Sequence, residues 1–219
     1  YDTFQDFKSD QDYIDWTIDI FNGYDKVLRK NGCVLYNISY SSENTHLIWL
    51  VVADIIRKTN FTTADCIIWK KSNAIPNNRS KNKLTRIIEY VFVFVRKSEL
   101  KTFDANKKVM SVIEKTGQAN FENIYNFFEA KNNDGSNDLN KATFSTDFVK
   151  KLIEIYAQPQ SLIYDSFMGI GTTAKGCVET QMNYVGSELS EAQILHFTAW
   201  EEKRKEKDLT QKTLFGDGM

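Results

Sequence analysis

Leu162-Ile-Tyr-Asp165-Ser-Phe167-Met-Gly169-Ile-Gly171-Thr-Thr-Ala-Lys-Gly-Cys177, followed after a short gap by Asn183-Tyr-Val-Gly-Ser-Glu188, is the stretch whose reading decides the fold. Leu162 to Tyr164 reads as a strand, Thr172 to Thr180 as a helix and Tyr184 to Ser187 as a second strand. A strand that runs into a tight Gly-x-Gly turn and then a helix brings backbone close to a ligand, because glycine lacks the Cβ that blocks approach. An acid at the end of the next strand sits beside such a pocket, where a carboxylate can accept both hydroxyls of a ribose, and Glu188 has that spacing. Gly169-x-Gly171-x-x-Ala174 also satisfies the dinucleotide pattern, so a nicotinamide or flavin enzyme fits the glycines equally well.

Asp165 and Phe167, just before the glycines, separate these readings. A dinucleotide fold usually runs an apolar strand directly into its first glycine, and a buried pyrophosphate has no use for a neighbouring carboxylate. A cationic, phosphate-free nucleoside such as S-adenosylmethionine tolerates an acid there, since its sulfonium and ammonium are positive. In the plainer alternative Asp165 and Glu188 merely cap or solvate strand ends.

Working outward, apolar residues recur at helical spacing from Gln11 to Arg29, and Asn31-Gly32 is a stop signal. Cys33 to Ser39 reads as a buried strand, Asn44 to Lys58 as a helix, and Ala64 to Lys70 and Ile87 to Arg96 as strands. Strand and helix alternation with near-continuous apolar strands predicts an α/β sheet with helices on both faces. Residues 97–142 change character: polar from Lys101 to Lys108, a short aromatic helix expected from Phe121 to Phe128, and an Asn/Asp/Gly-rich loop from Lys131 to Lys141. This stretch reads as an inserted small lobe with a mobile arm. A helix is expected from Ser145 to Tyr156. The last helix opens with a Ser190/Gln193 capping box and is expected to end near Lys207 in a charged tail.

The chain has 219 residues, 42% hydrophobic and 13% aromatic, enough for a sizeable core. No apolar run approaches the ~20 residues of a membrane span, and no secretory signal opens the chain. A soluble cytoplasmic or nucleoid-associated protein is the expectation. Cys33, Cys66 and Cys177 are scattered, as are His46 and His196, which disfavours disulfides and any metal site. The net charge of −1 conceals an asymmetry. Aspartates crowd the first 25 residues, whereas Lys70, Lys71, Arg79, Lys81, Lys83 and Arg86 stand in a run without an acid, pointing to an anionic partner or, more blandly, to a solvated loop.

At these residues the sequence resembles the amino-methylating (N6-adenine or N4-cytosine) DNA methyltransferases, in the order that places the catalytic half before the cofactor half. Asp165 to Thr173 resembles that family's cofactor loop, usually Asp-Pro-Phe-x-Gly-Ser-Gly-Thr-Thr, with Ser166 in place of proline. Tyr184 to Glu188 resembles its second cofactor motif. Ala142-Thr-Phe-Ser145 resembles the segment that folds over the methionine part of the cofactor. Ile67 to Pro76 with Arg86 to Phe94 resembles the strand pair beyond the active site. The resemblance implies a Rossmann-like S-adenosylmethionine-dependent methyltransferase sheet with a small inserted recognition region. It divides the chain into a catalytic half (1–96), an inserted target-recognition or linker region (97–141), a cofactor half (142–207) and a polar tail (208–219).

It further implies cofactor contacts from Thr143, Phe144, Ser145, Asp165, Phe167, Gly169, Gly171, Thr172, Thr173, Glu188 and Leu189. The family's catalytic Asp/Asn/Ser-Pro-Pro-Tyr/Phe tetrapeptide is absent, since Pro76 and Pro159 are the only prolines. Tyr1 sits where its aromatic would be, so the tetrapeptide and its central strand are expected upstream, leaving unpaired backbone and exposed apolar faces in this chain. Double-stranded DNA is the implied partner. Lys70, Lys71, Asn73, Asn77, Asn78, Arg79, Lys81, Lys83 and Arg86 are its candidate contacts, cations for phosphates and asparagines for base edges. Phe121, Tyr125, Phe127 and Phe128 are expected to form a small core. Gln211-Lys-Thr-Leu214-Phe215 resembles a peptide that docks on a sliding clamp, and a homodimer is the other partner considered. Methyl transfer to RNA or protein, or a non-catalytic subunit, are the alternatives.

Overall fold

Ser9 starts the first helix by accepting the Asp12 amide at 3.2 Å, with Asp10 and Asp12 in the first turn complementing the helix dipole. The computed structural model describes residues 9–40, 44–73, 81–135, 138–140 and 143–215. It divides into two units, Tyr1–Lys131 and Asn132–Met219. In chain order the elements are α1 (Asp10–Val27), β1 (Val34–Ile38), α2 (Leu47–Lys58), β2 (Phe61–Lys71), β3 (Ile88–Arg96), β4 (Val109–Ile113), β5 (Gln118–Phe121), β6 (Phe127–Ala130), α3 (Thr146–Tyr156), β7 (Leu162–Asp165), α4 (Thr172–Glu179), β8 (Asn183–Gly186) and α5 (Glu191–Phe215).

In the first unit a four-stranded sheet runs β1-β3-β2-β6, with β3 antiparallel to both neighbours and β6 parallel to β2. The period of two along a strand sends Phe92 and Phe94 toward α1 and α2, and Val91, Val93 and Val95 to the opposite face. All five are buried, which is why the strand reads as one continuous apolar run. Phe21 of α1 is the hub, its ring lying 5.0 Å from Phe94, 5.5 Å from Phe61 and 5.7 Å from Tyr36. Arg96 fastens the end of α1: it donates to Asp25 Oδ1 at 2.6 Å and to the carbonyls of Asp25 and Leu28 at 2.8 and 2.6 Å. A cation at a helix C-terminus meets both the free carbonyls and the dipole.

The expected aromatic helix over 121–128 does not form. Phe121 ends β5, and after five residues outside any strand Phe127 begins β6, paired in register with Ile68 of β2. Aromatic side chains fit a pleated surface, and the bond from the Ile68 amide to the Asn126 carbonyl (2.9 Å) seeds the parallel pairing. Nor do these aromatics make a small core, since Phe121 and Phe127 are each 49% exposed and Tyr125 is 76% exposed. The region instead carries the antiparallel β4–β5 hairpin, which turns at Gly117 with φ +70°.

In the second unit β7 and β8 are parallel, and α3 and α4 cover one face through Val149, Ile153, Ala157 and Cys177 against Ile163 and Tyr184. α5 runs to Phe215 rather than ending near Lys207. Residues 201–215 contain no glycine or proline, and Arg204–Asp208 (2.9 Å) and Lys205–Glu201 (3.6 Å) link successive turns. The segment read as a polar tail from 208 is therefore helical through 215. The capping box is also replaced: the Ser190 amide donates to Glu188 Oε1, and Gln193 accepts from Asn140 Nδ2 at 3.0 Å. Among the described residues β1 pairs with β3 alone and β7 with β8 alone. No helix among them is long and apolar enough to cross a membrane.

Candidate functional site

The end of β7 delivers Asp165 to the base of the glycine turn. Its Oδ1 accepts the Phe167 amide at 3.0 Å and its Oδ2 accepts the Thr173 hydroxyl at 2.5 Å. Asp165 thus braces the turn from strand to helix. Gly169 and Gly171 both have positive φ, +56° and +85°, where a side chain is strained. Gly171 is also the N-cap of α4.

Glu188 closes the arrangement from the far side. Its Oε2 accepts the Gly169 amide at 2.8 Å, and its Oε1 accepts the amides of Leu189 (2.9 Å) and Ser190 (2.8 Å). A carboxylate offers about four acceptor positions, so three are used and one, on Oε2, is left. A ribose can therefore be met by one bond from Glu188 as it stands, fewer than the two the sequence suggests.

The room beside the glycines is filled by protein side chains. A Cβ at Gly171 would lie 2.2 Å from Phe197 Cδ2, and one at Gly169 would lie 2.8 Å from Asn140 Nδ2 and 3.2 Å from Gln193 Oε1. Sequence reasoning missed Asn140, Gln193 and Phe197. The capping-box position of Gln193 was the available signal for one of them, and nothing in the pattern marked the other two. On the surface of the same turn Phe167 is 58% exposed and Leu189 83% exposed. Thr172 is buried, while Ser145, fully buried, caps α3 by accepting the Phe148 amide at 3.3 Å. Phe144 packs edge-on to Phe148 at 6.2 Å, and Thr143 is partly buried just before it. Burial pushes the Cys177 thiol on α4 up to about 11, with the Asp165 charge adding to the shift.

The basic run is less free than its sequence suggests. Lys70 pairs with Glu129 at 3.0 Å, its register partner on β6, and Lys71 pairs with Glu89 on β3 while lying 5.3 Å from the Trp69 ring. The acids absent from residues 70–86 arrive across the sheet. Arg86 donates to the Tyr40 carbonyl and lies over that ring at 5.8 Å. Asn73, Lys81 and Lys83 are exposed; Asn77, Asn78, Arg79 and Tyr1 lie outside the described residues. Gln211, Leu214 and Phe215 fall in the last turns of α5, their side chains outside the described atoms. His46 and His196 are both exposed, with His46 Nε2 3.4 Å from Asp10. Among the described residues no cluster of His, Cys, Asp or Glu could hold a metal.

Parallel strands flanking a glycine turn, with an acid returning to the turn from the end of the second strand, give this unit a Rossmann-like fold. The family model described as DNA methylase matches residues 1–198, and the chain belongs to that family. It is similar to the type II methyltransferase M.MjaI of Methanocaldococcus jannaschii, 23% identical over 183 residues covering 76% of this chain and 60% of that protein. It is also similar to the type II methyltransferase M.Cfr9I of Citrobacter freundii, 30% identical over 124 residues covering 57% of this chain and 39% of that protein. The chain thus spans 60% and 39% of the length of these two relatives. Among solved structures, the fold matches PvuII DNA methyltransferase (cytosine-N4-specific) with a TM-score of 0.71 at 15% identity, covering 89% of this chain and 73% of that one. It matches the M1.HpyAVI-SAM complex with a TM-score of 0.57 at 21% identity, covering 84% and 80%.

Proposed function

We propose that the protein transfers a methyl group from S-adenosylmethionine to an exocyclic amine of adenine or cytosine in double-stranded DNA. The observation that carries this reading is the return of Glu188 to the Gly169 amide at 2.8 Å, in a chain that belongs to the DNA methylase family. The residues present fit the cofactor. Glu188 keeps one acceptor position for a ribose hydroxyl, and Phe167 and Leu189 offer exposed apolar surface for a purine. The carboxylates Asp165 and Glu188 bracket the turn and favour a cationic ligand over a pyrophosphate.

When bound, S-adenosylmethionine supplies a methyl group on a sulfonium leaving group. The chain's own task is positioning: Gly169 and Gly171 shape the turn, Asp165 and Thr173 lock it, and Thr143, Phe144 and Ser145 lead into α3 beside it. An exocyclic amine is a poor nucleophile because its lone pair is delocalised into the ring, so hydrogen-bond acceptors that localise the pair are required. The reading assigns that role to the family's tetrapeptide and its stacking role to an aromatic at Tyr1. Residues 1–96 then serve as the catalytic half, 97–141 as the recognition region and 142–207 as the cofactor half. DNA phosphates would be met by Lys81, Lys83, Arg79 and Arg86 before the ion-paired Lys70 and Lys71, with Asn73, Asn77 and Asn78 within reach of bases. A cytoplasmic protein of a restriction-modification pair, a homodimer, and docking of Gln211, Leu214 and Phe215 on a sliding clamp complete the reading.

The full-length protein, incubated with DNA and methyl-labelled cofactor, should label a base amine. Calorimetry should show cofactor binding lost in Gly169→Val and weakened in Leu189→Glu, whose exposed position leaves the fold intact. Unaltered affinity in both variants would sink the pocket assignment, and label found in RNA or protein alone would redirect the substrate.

A further inference from the structure

Glu188 is short of acceptors for a ribose. Three of its roughly four acceptor positions hold the amides of Gly169, Leu189 and Ser190, so Oε2 has one bond left for a sugar that presents two neighbouring hydroxyls. The wall against the other side of Gly169 is also polar. A Cβ built on Gly169 would lie 2.8 Å from Asn140 Nδ2 and 3.2 Å from Gln193 Oε1, and these two atoms are bonded to each other at 3.0 Å. Gly169 is thus flanked by a carboxylate on its amide and by a carboxamide, from the first turn of α5, against its α-carbon. Among the described residues the Gln193 side chain has no hydrogen-bond partner besides Asn140. It therefore keeps the second acceptor position of Oε1 and both hydrogens of Nε2, on a side chain that is only partly buried.

We infer that Gln193 is a second ribose-recognition residue: its carboxamide, oriented by Asn140, bonds one hydroxyl of the nucleoside's vicinal diol while Glu188 Oε2 accepts the other. This deepens the cofactor reading above and rests on it. A second carboxylate at this place would face Glu188 as a like charge, whereas a carboxamide adds an acceptor without one. A carboxamide both accepts and donates, which matches a hydroxyl; the cationic groups of the ligand are better served by carboxylates. Asn140 is the positioning residue. It belongs to the segment that leads into α3, whose start is tied down where Asp134 accepts the Thr146 amide at 2.8 Å and the Thr146 hydroxyl as well. A carboxamide already held at one end loses less rotamer freedom on binding, so more of its contact energy remains for affinity.

The test is calorimetry of the full-length protein with S-adenosylmethionine and with its 2′-deoxy and 3′-deoxy analogues, with the melting point of each variant measured alongside. Gln193→Ala should weaken S-adenosylmethionine binding about three- to tenfold, the worth of one neutral hydrogen bond. Against one of the two analogues, the one lacking the hydroxyl that Gln193 bonds, the same substitution should cost nothing further. Asn140→Ala should cost less than Gln193→Ala and should lose its effect against the same analogue. Where Gln193→Ala lowers the melting point, Gln193→Met, similar in length and without the amide, is read in its place. A wild type that does not bind S-adenosylmethionine removes the cofactor reading and this inference with it. Binding that Gln193→Ala leaves unchanged overturns the role of Gln193 while the cofactor reading stands. An equal loss against the cofactor and both analogues assigns Gln193 to the packing of the turn, and the proposal fails.

Discussion

Replacing Gly171 by alanine tests the account of the turn most directly. Its methyl would lie 2.2, 2.7 and 3.1 Å from Cδ2, Cε2 and Cγ of Phe197, where carbon contacts settle at about 3.5–4.0 Å, so the ring must retreat by roughly 1.5 Å. Phe197 is not free to do so, being stacked on Trp200 at 5.7 Å and edge-on to Tyr184 at 6.1 Å. Overpacking of this kind costs about 1–3 kcal/mol. The φ of +85° adds a left-handed penalty of roughly 1–2 kcal/mol. The expected loss is about 2–5 kcal/mol, a midpoint drop of about 5–15 °C for a chain of this size. In a Phe197→Ala background only the left-handed penalty remains, so the double-mutant cycle should return a coupling of about 1–3 kcal/mol. Gly23 is the control: it is exposed within α1, with nothing inside 4 Å of a built Cβ, so Gly23→Ala should stabilise by about 0.5–1 kcal/mol. A Gly171→Ala loss below about 1 kcal/mol, or one unchanged by Phe197→Ala, refutes the reasoning.

Glu188→Gln should keep its oxygen on the Leu189 and Ser190 amides and turn its NH2 group toward the Gly169 amide, donor against donor. Hydrogen exchange should then speed at Gly169 and stay slow at Ser190; equal protection at both would discount the clamp. Glu129→Gln releases Lys70 from its partner at 3.0 Å, so DNA binding should steepen against log salt by up to about 0.9, whereas Lys70→Gln in the wild type should shift the slope little. The reverse order would place Lys70 free at the DNA despite its pair. Burial raises Cys66 and pushes Cys177 and Cys33 up to about 11 and about 12. Below those values the thiolate is scarce, so all three thiols should resist alkylation at pH 8 in the folded protein and react once denaturant is added. Rapid native labelling of Cys177 would contradict its packing.

Elements whose local pattern and tertiary surroundings agree were legible from the residues alone. β3 is one: its alternating phenylalanines and valines are buried on both faces, so continuous hydrophobicity and strand length suffice. α3 is another, with Ser145 as cap and Phe148, Val149 and Leu152 on one stripe. The glycine turn was legible because positive φ leaves a signature in residue type. Phe121 to Phe128 misled because clustered aromatics carry no period that separates a helix from two short strands, and the β2 edge that recruits Phe127 is about sixty residues away in sequence. The ion pairs of the basic run were hidden for the same reason, since Glu89 and Glu129 become neighbours of Lys71 and Lys70 only through sheet register. In the candidate site the acids and glycines were found but their neighbours were not: Asn140 and Phe197 approach the turn from other elements.

What the turn does with its glycines bears on how a ligand can enter. Residues of α5 and Asn140 stand against Gly169 and Gly171, so those faces are closed by protein. Phe167 and Leu189 stay open to solvent at the same turn, and Glu188 keeps its remaining acceptor beside Gly169. Approach is thereby confined to the side those residues define. The turn is held by its own carboxylates, since Asp165 and Glu188 together accept from four backbone amides. Ordering costs in such a loop fall on folding rather than on binding, which leaves more of the contact energy for affinity. The opposite face of the same unit carries the converse condition. Leu162, Tyr164 and Val185 are 65%, 46% and 46% exposed on a two-stranded parallel ladder, an arrangement that proteins bury on both sides. Among the described residues the β7–β8 ladder is thus packed by α3 and α4 on one face and open on the other, so the burial that holds the turn in place comes from the Ile163 and Tyr184 side of the strands.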